Sequence, residues 1–376
     1  MKKIVLAPDS FKGTLTSADI CHIVEKGVRE QYPQADIRSI LTSDGGEGVV
    51  DAFVKNVGGK IMRSSTTNAT GERIKAAWGW LDAKTAIVES AAAVGLPQTD
   101  MNVAVADRTS YGVGEMILAA IRGGARHVLV GLGGSSTNDG GAGAAAALGI
   151  RFYNSQDKQY VPTGRTLADL KRIDRSGVND LVDQTEITLI TDVFHTMCGP
   201  AGATAVFGPQ KGAGSEELIW LDRNLEHLAN CIARDLDQEV VDLPGGGAAG
   251  GMGAGLAGCF NCQIKLGIEA LLEVVKFDTL IKDADLIITG EGRLDAQSLQ
   301  GKVIYGVTKA AKRRNVPVIA LVGDIAADLM PFYEAGLTAA FSIQQRPLTS
   351  ENIKLCAGTD LYVTVVNLMR WLKTCQ

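Results

Sequence analysis

Several charged side chains stand in a short glycine-rich segment, where they could contact a ligand directly. The segment 289–295 reads Thr-Gly-Glu-Gly-Arg-Leu-Asp and is followed by Lys302. It supplies Glu291, Arg293 and Asp295. Carboxylate oxygens are the ligands that Mg²⁺ prefers, whereas arginine and lysine bind the oxygens of carboxylates and phosphates. On spacing alone, the pattern indicates either a ligand site or an ordinary turn whose charges are solvated.

Comparable polar side chains occur in other turns of the chain. Ser10 and Lys12 follow the apolar run 4–7, and Asp192 follows the apolar run 187–190. Further candidates of this kind are Asp44, Glu47 and Lys211. In open α/β sheets, ligands bind beyond the carboxyl ends of the strands. The sequence therefore predicts one site that is assembled from several distant segments.

A stretch of glycine and hydroxyl residues at 131–141 follows the apolar run 127–130. Its backbone N–H groups and hydroxyls could line an anion-binding concavity. The other interpretation is a flexible turn. A ligand loop is favoured, and its candidate nucleotide-binding residues are Gly133, Gly134, Ser135, Ser136 and Thr137.

The densest glycine stretch is 243–258, and Gly250, Gly251 and Gly253 are its candidate nucleotide-binding residues. Within it, the glycines at 253, 255 and 258 have the spacing of a dinucleotide-binding fingerprint. That motif begins directly at a strand end, however, and here glycine and alanine residues precede it. We therefore interpret the stretch as a loop and helix start that pack closely on a ligand or on neighbouring backbone.

The elements that must position these residues alternate between strands and helices. A capping box at 16–19, Thr-Ser-Ala-Asp, predicts a helix that starts near Ser17. Alternation of this kind is typical of a parallel sheet with right-handed crossovers. We predict an α/β protein with two α/β domains. Residues 1–58 and 280–376 form a Rossmann-like parallel-sheet domain, and residues 59–279 form an inserted domain with the glycine-rich loops.

The composition disfavours several classes of partner. The chain has 376 residues and a formal net charge of −5, so nothing favours nucleic acid. No apolar run is long enough to cross a membrane, and the N-terminal run is too short for a signal peptide. The 7 scattered cysteines are expected to be reduced thiols in the cytoplasm. The lone Cys-x-x-Cys at 259–262 has no second pair, which disfavours zinc.

These features fit three classes of function. Phosphoryl transfer needs cations on phosphate oxygens and carboxylates for Mg²⁺ or the attacking hydroxyl. A kinase of a small polar substrate is therefore the leading interpretation, although the chain has no Walker-type motif. An NAD(P)-dependent dehydrogenase of a small hydroxy acid, using the 253–258 fingerprint, is the alternative. A binding protein without activity would need no such surplus of acidic residues.

Five segments occur together in one order and cover essentially the whole chain. They are Ala-Pro-Asp-Ser-Phe-Lys-Gly at 7–13, Ser-Asp-Gly-Gly-Glu-Gly at 43–48, Gly-Leu-Gly-Gly-Ser-Ser-Thr-Asn-Asp-Gly-Gly at 131–141, Phe-Gly-Pro-Gln-Lys-Gly-Ala at 207–213 and Thr-Gly-Glu-Gly-Arg-Leu-Asp at 289–295. This combination resembles bacterial glycerate kinases of the type-1 family. The chain departs from the family pattern after Phe194, where His-Thr-Met stands in place of Asn-Pro-Leu.

The resemblance implies that ATP and Mg²⁺ are used to phosphorylate D-glycerate, with 2-phosphoglycerate as the expected product, in a cleft between two α/β domains. From their charges, we expect Asp192 to be the general base or to orient the glycerate hydroxyl, with a bound water or a substrate-assisted route as the alternative. We expect Lys12 and Arg293 to bind carboxylate or phosphate oxygens. The expected substrate contacts are Ser10, Asp44, Glu47 and Lys211, the expected nucleotide contacts lie at 133–137 and 250–253, and the expected Mg²⁺ ligands are Glu291 and Asp295. Neither nucleic acid nor a membrane is an expected partner, and a homodimer is compatible with the resemblance.

Overall fold

The structure is a computed structural model that describes residues 1–42, 48–260, 262–299, 301–346 and 350–375. The chain forms two compact units. The first comprises Met1–Asp44 and Ile268–Gln376, and the second comprises Gly45–Gly267. Along the sequence, the second unit therefore interrupts the first. Among the described residues, no helix combines the length and the apolar character that a membrane span requires.

Short apolar runs form the strands and amphipathic segments form most of the helices. In chain order, the strands are β1 Lys3–Pro8, β2 Asp36–Ser39, β3 Lys60–Thr67, β4 Arg73–Trp80, β5 Thr85–Glu89, β6 His127–Gly131, β7 Arg151–Asn154, β8 Gln159–Tyr160, β9 Leu170–Asp174, β10 Glu186–Ile190, β11 Gln263–Lys265, β12 Leu286–Leu294, β13 Val318–Ile325 and β14 Ala339–Ser342. The α-helices are α1 Ser17–Arg29, α2 Val49–Val57, α3 Ala91–Val94, α4 Tyr111–Arg122, α5 Ala142–Ala147, α6 Asp180–Asp183, α7 Ala203–Phe207, α8 Ser215–Leu236, α9 Ala248–Phe260, α10 Gly267–Val274, α11 Phe277–Leu280, α12 Val303–Lys312, α13 Met330–Ala335 and α14 Ser350–Thr374. Short 3₁₀ helices lie at Leu96–Gln98, Val105–Asp107, Thr166–Asp169, Pro209–Lys211 and Ala296–Leu299.

The first unit is built on a parallel sheet with the strand order β14-β13-β12-β1-β2. Strand β2 lies on one side of β1, whereas β12, β13 and β14 follow one another on its other side, so the strand order reverses between β1 and β12. In open α/β sheets, such a reversal marks the crevice in which ligands bind. Asp9 directly follows β1, and Glu291 lies in the last part of β12. This sheet therefore brings two acidic side chains to its switch point.

The second unit is built on a mixed sheet with the strand order β11-β10-β6-β5-β4-β3. Strands β5, β6, β10 and β11 are parallel, and β3 and β4 extend the sheet in antiparallel fashion. A small antiparallel sheet has the order β8-β7-β9. The prediction of an α/β fold with parallel sheets is confirmed.

Helix α1 begins where the sequence predicts. The Thr16 hydroxyl oxygen accepts a hydrogen bond from the Asp19 N–H at 3.1 Å, and the Asp19 carboxylate accepts one from the Thr16 N–H at 3.0 Å. The capping box at 16–19 is therefore confirmed. Ile20, Val24 and Val28 are buried in the core of the first unit, which fixes the helix against the sheet.

The limits of the two units differ from the predicted limits at 58/59 and 279/280. Helix α2 belongs to the second unit, because its Val50 and Val54 side chains pack on Gly79 of β4. A Cβ added at Gly79 would lie 3.3 Å from a methyl group of Val50 and 2.5 Å from a methyl group of Val54. Near the other limit, Ile268 packs on Gly306 of α12, where an added Cβ would lie 2.7 Å from the isoleucine side chain. Both shifts follow from helices that pack against small residues.

The segment 289–294 is a strand and not the glycine-rich turn that the sequence predicts. Strand β12 runs to Leu294 and pairs with β13, with Glu291 opposite Val322 and Arg293 opposite Asp324. The prediction of a turn follows from the low strand propensity of glycine and charged residues. It is wrong because the pairing with β13 uses only backbone groups, which every residue supplies. The turn begins at Asp295, which precedes the 3₁₀ helix Ala296–Leu299.

Candidate functional site

The glycine-rich loop after β6 is held at its carbonyl groups by the segment that follows β5. The Ser90 hydroxyl donates to Gly133 O at 3.0 Å, and the Leu96 N–H donates to Gly134 O at 2.9 Å. Two residues after Gly134, the Ser136 N–H donates to Val94 O at 2.8 Å. These bonds turn the carbonyl groups of Gly133 and Gly134 toward the protein.

The N–H groups of Gly133, Gly134 and Ser135 have no hydrogen-bond partner among the residues that the structure describes. Gly134 has φ +73°, a left-handed conformation that glycine adopts without strain. Gly134 is exposed and Gly133 is half-buried, so this part of the loop is accessible. Successive N–H groups around a left-handed residue form a concavity that binds anions. The arrangement fits phosphate oxygens.

Two cationic side chains lie buried behind this loop. The Lys211 side-chain nitrogen (Nζ) donates to Thr137 O at 2.7 Å and lies 3.4 Å from the Ser135 hydroxyl. One guanidinium nitrogen of Arg108 donates to Ser136 O at 3.2 Å and to Lys211 O at 3.0 Å. Burial lowers the pKa of Lys211 to about 7, and the neighbouring Asp139 carboxylate opposes this effect. The sequence predicts direct substrate contact for Lys211, whereas the structure places its side chain in the interior.

The remaining loop side chains predicted to meet a nucleotide are also turned inward. Ser136 donates to Val94 O at 2.9 Å and accepts from the Thr99 hydroxyl at 2.8 Å. Thr137 is fully buried, and its hydroxyl oxygen has no hydrogen-bond partner among the described residues. The accessible part of the predicted loop is therefore the backbone of Gly133 and Gly134.

The second glycine stretch packs on the first loop. Gly250 has φ +68°, and an added Cβ there would lie 2.1 Å from Thr137 O. An added Cβ at Gly255 would lie 1.8 Å from Gly140 O. Gly250, Gly251 and Gly253 are buried in α9, which is kinked at residues 249–251. Close backbone packing thus accounts for glycine at these positions, and the dinucleotide fingerprint at 253–258 does not follow a strand end.

Two acidic side chains stand at the same edge of the second sheet as the glycine loop. Asp192 follows β10, is half-buried, and accepts a hydrogen bond from the Gly267 N–H at 3.0 Å. Glu89 ends β5 opposite Gly131 and accepts from the Val50 N–H at the start of α2 at 3.2 Å. Burial raises the pKa of Glu89, and the N–H groups at the start of α2 oppose this effect.

In the first unit, two carboxylates lie close to one lysine, and these three residues form a charged cluster. The Lys302 side-chain nitrogen lies 3.8 Å from a Glu291 oxygen and 3.7 Å from an Asp295 oxygen. Glu291 is only 4% exposed, and burial raises its pKa to about 7, against the opposing effects of Ser298 and Lys302. The charge of the nearby Asp9 adds to the upward shift. The structure therefore brings Glu291 and Asp295 to the same lysine.

The donor atoms of this cluster fit Mg²⁺. The second carboxylate oxygen of Glu291, Oε1, is buried and has no hydrogen-bond partner among the described residues. A carboxylate oxygen that no described residue engages can serve as a ligand for a hard cation. In the described part of the chain, no three His, Cys, Asp or Glu side chains are grouped for a metal. Since Mg²⁺ usually keeps several waters and binds through one or two carboxylates plus phosphates, Glu291 and Asp295 suffice.

The other predicted residues of the first unit lie near this cluster. The backbone of Lys12 passes beside Gly292, because a Cβ added at Gly292 would lie 3.5 Å from Lys12 N. The Lys12 side chain is exposed. Arg293 is exposed and forms an ion pair with Asp324 at 3.5 Å. The Ser10 N–H donates to the Asp9 carboxylate at 2.7 Å. The predicted contacts Asp44 and Glu47 lie outside the described residues.

Sequence reasoning missed Arg108 and Glu89. Arg108 stands in no motif, and its partners Ser136 and Lys211 are distant along the chain. For Glu89, its position at the carboxyl end of a parallel strand was a usable signal. For Arg108, the sequence contains no such signal.

Comparison with known proteins adds a family to this geometry. The model of the glycerate kinase family matches residues 4–373. Glycerate kinase of Bacillus subtilis (strain 168) is 42% identical over 345 residues, which cover 91% of this chain and 90% of that protein. Glycerate 2-kinase of Escherichia coli (strain K12) is 41% identical with the same coverage of both chains.

A solved structure is similar over the whole chain. It is a crystal structure from Salmonella typhimurium LT2 of a protein described as a candidate glycerate kinase 2. Its TM-score is 0.87 at 41% sequence identity, and the match covers 100% of this chain and 99% of that chain.

Proposed function

The chain belongs to the glycerate kinase family, and on that premise we propose that it transfers the γ-phosphoryl group of ATP to D-glycerate, with 2-phosphoglycerate as the product. Relatives named as glycerate kinases match about nine-tenths of the chain, which supports the reaction class. The observation that supports a phosphorylated co-substrate is the loop at 133–135, whose N–H groups have no hydrogen-bond partner among the described residues and which has two buried cations behind it.

The loop at 133–135 is the proposed site for the nucleotide phosphates. Its N–H groups would donate to phosphate oxygens, and the carbonyl groups of Gly133 and Gly134 are already occupied by Ser90 and Leu96. A preorganised row of donors stabilises charge without reorganising during the reaction. The glycines at 250–253 would act through the loop, because they allow α9 to pack against Thr137.

Glu291 and Asp295 are the proposed residues that hold Mg²⁺. When bound, Mg²⁺ neutralises charge on phosphate oxygens during the transfer. The unpartnered Oε1 atom of Glu291 would be its first protein ligand. Lys302 lies within 4 Å of both carboxylates, and its charge opposes the rise that burial gives to the pKa of Glu291.

Asp192 is the proposed partner of the reacting glycerate hydroxyl. It is held by the Gly267 N–H at 3.0 Å, so its orientation is set by backbone. A carboxylate in this position would orient the hydroxyl or accept its proton. Lys12 and Arg293 are the proposed partners of the glycerate carboxylate or of phosphate oxygens, because both side chains are exposed cations. Ser10, Asp44 and Glu47 remain proposed substrate contacts.

The test of this function is an assay of ADP formation from ATP and D-glycerate with and without Mg²⁺. The product is identified by coupling to enolase directly, which uses 2-phosphoglycerate, or only after phosphoglycerate mutase is added. We expect direct coupling. Absence of ADP formation with D-glycerate would refute the proposed reaction, and a requirement for the mutase would refute the proposed product. An NAD(P) reduction assay tests the alternative dehydrogenase activity.

The role of Asp192 is tested by Asp192→Asn, with Asp180→Asn as the matched control, since Asp180 is exposed at the start of α6. We expect turnover to fall by about 10²-fold or more, the usual effect of a general acid or base. The thermal midpoint should stay close to that of the control. Near-normal turnover of Asp192→Asn would contradict its assignment.

A further inference from the structure

Arg108 and Lys211 hold the phosphate loop from its buried side. Arg108 is 1% exposed and Lys211 is 2% exposed. Arg108 donates to Ser136 O at 3.2 Å, and Lys211 donates to the next carbonyl, Thr137 O, at 2.7 Å. Arg108 also donates to Lys211 O at 3.0 Å, which joins the two cationic residues. Two consecutive loop carbonyls are therefore fixed inward by charged donors.

These cations are not neutralised by ion pairs among the described residues. The carboxylate that faces Lys211 is Asp139, and it accepts hydrogen bonds from the Ser110 N–H and hydroxyl at 2.7 and 2.8 Å. The charges of Glu217 and Asp100 also act on Arg108, although neither forms an ion pair with it among the described residues. A buried cation without an ion-pair partner is unfavourable unless something compensates it. The accessible N–H groups of Gly133 and Gly134 lie on the same loop. An anion bound there would add compensating negative charge close to Lys211, whose Nζ lies 3.4 Å from the Ser135 hydroxyl.

We propose that Arg108 and Lys211 are positioning residues for the nucleotide phosphates: they hold the carbonyl groups of Ser136 and Thr137 inward, so that the N–H groups of 133–135 face the ligand, and their charges raise its affinity. This inference rests on the proposed function. It replaces the direct substrate contact that the sequence predicts for Lys211, and it assigns a role to Arg108, which stands in no motif. The ligand class is a polyphosphate chain.

Protonation of Lys211 gives this arrangement a pH dependence. The pKa of Lys211 is lowered to about 7, mainly by burial; the Asp139 charge opposes this shift and the Arg108 charge adds to it. A bound phosphate chain favours the protonated form. The contribution of Lys211 to affinity is therefore present below about pH 7 and is lost as the pH rises above that value.

The test measures binding of ATPγS by calorimetry, because this analogue is turned over slowly and its thiophosphate stays ionised across the range used. Wild type, Lys211→Met and the control Lys158→Met are compared at about pH 6 and about pH 8.5. Lys158 is an exposed lysine of the same unit. At the lower pH, we expect Lys211→Met to bind about tenfold more weakly or worse, the effect of losing a charge-assisted hydrogen bond. The difference should shrink at the higher pH.

A second variant, Arg108→Lys, keeps the charge but loses the guanidinium group, whose Nη1 reaches Ser136 O and Lys211 O while its Nε and Nη2 bind Val103 O. We expect its KM for ATP to rise while its KM for glycerate stays near that of wild type. Equal ATPγS affinity of wild type and Lys211→Met at the lower pH, or an unchanged KM for ATP in Arg108→Lys, would overturn the inference alone. Wild type that neither binds ATPγS nor uses ATP would overturn the proposed function, and the inference with it.

Should Lys211→Met fail to fold, the wild-type protein still decides the matter. Its ATPγS affinity should be lower at about pH 8.5 than at about pH 6, and the fall should begin near pH 7, the pKa of Lys211 in the free protein. An affinity that is constant over this range, in wild type and in Lys158→Met alike, would overturn the role assigned to the Lys211 charge.

Discussion

In the wild-type protein, the free energy of unfolding should rise as the pH increases above about 7, and replacing Lys211 by methionine should remove this rise. Burial lowers the pKa of this lysine from 10.5 to about 7 in the folded protein. Between these values, the unfolded chain keeps its proton while the folded protein releases it. Since the unfolded state then binds more protons, the free energy of unfolding increases with pH.

The size of this effect follows from the shift. The effect is the difference in bound protons between the unfolded and the folded state, integrated from about pH 7 to about pH 9. This integral is about 1.7 pKa units, which corresponds to about 2 kcal/mol at 1.36 kcal/mol per unit. The lysine should therefore add about 2 kcal/mol to the free energy of unfolding over that range in the wild-type protein. In a unit the size of the second one, this is about 4–8 °C in thermal midpoint.

The assay is thermal and urea unfolding of wild type, Lys211→Met and Lys158→Met across this pH range. Three of the four tryptophans, at positions 78, 80 and 220, lie in the second unit, so intrinsic fluorescence reports mainly its unfolding. The wild-type and control curves should rise together, and the Lys211→Met curve should rise less. Parallel pH profiles for all three proteins would refute the reasoning, because they would show that Lys211 does not change its proton uptake on folding.

Gly250→Ala should destabilise the second unit by about 2 kcal/mol or more, since the residue has positive φ and its Cβ would lie 2.1 Å from Thr137 O. Gly71→Ala is its control, because Gly71 also has positive φ but nothing lies within 4 Å of an added Cβ; equal urea midpoints for the two variants would contradict the contact argument. Glu291→Gln should raise the Mg²⁺ concentration needed for half-maximal activity by about tenfold or more, by loss of a charged oxygen ligand. The readout is an Mg²⁺ titration beside the exposed-residue control Glu334→Gln, and superimposable titrations would exclude Glu291 as a ligand.

The parts of the fold that depend on neighbours in sequence could be predicted. The capping box of Thr16 and Asp19 is satisfied within one helical turn, so its residue types are enough to predict it. The polar position of Asp192 after an apolar strand is likewise a local feature. The continuation of β12 through 289–294 was missed, because it depends on pairing with β13, about thirty positions later in the chain by the register.

The sequence by itself determined the alternation of strands and helices, the glycine-rich loops, and the carboxylates and lysines that stand beside them. These features are local, because side-chain periodicity and glycine conformation act over a few residues. Tertiary structure alone decided the rest. It buries Lys211 against Thr137, brings Arg108 to Ser136, and leaves one Glu291 oxygen without a hydrogen-bond partner in the described part of the chain. The physical reason is that burial and hydrogen-bond partners depend on segments that are distant in sequence and meet only when the chain packs.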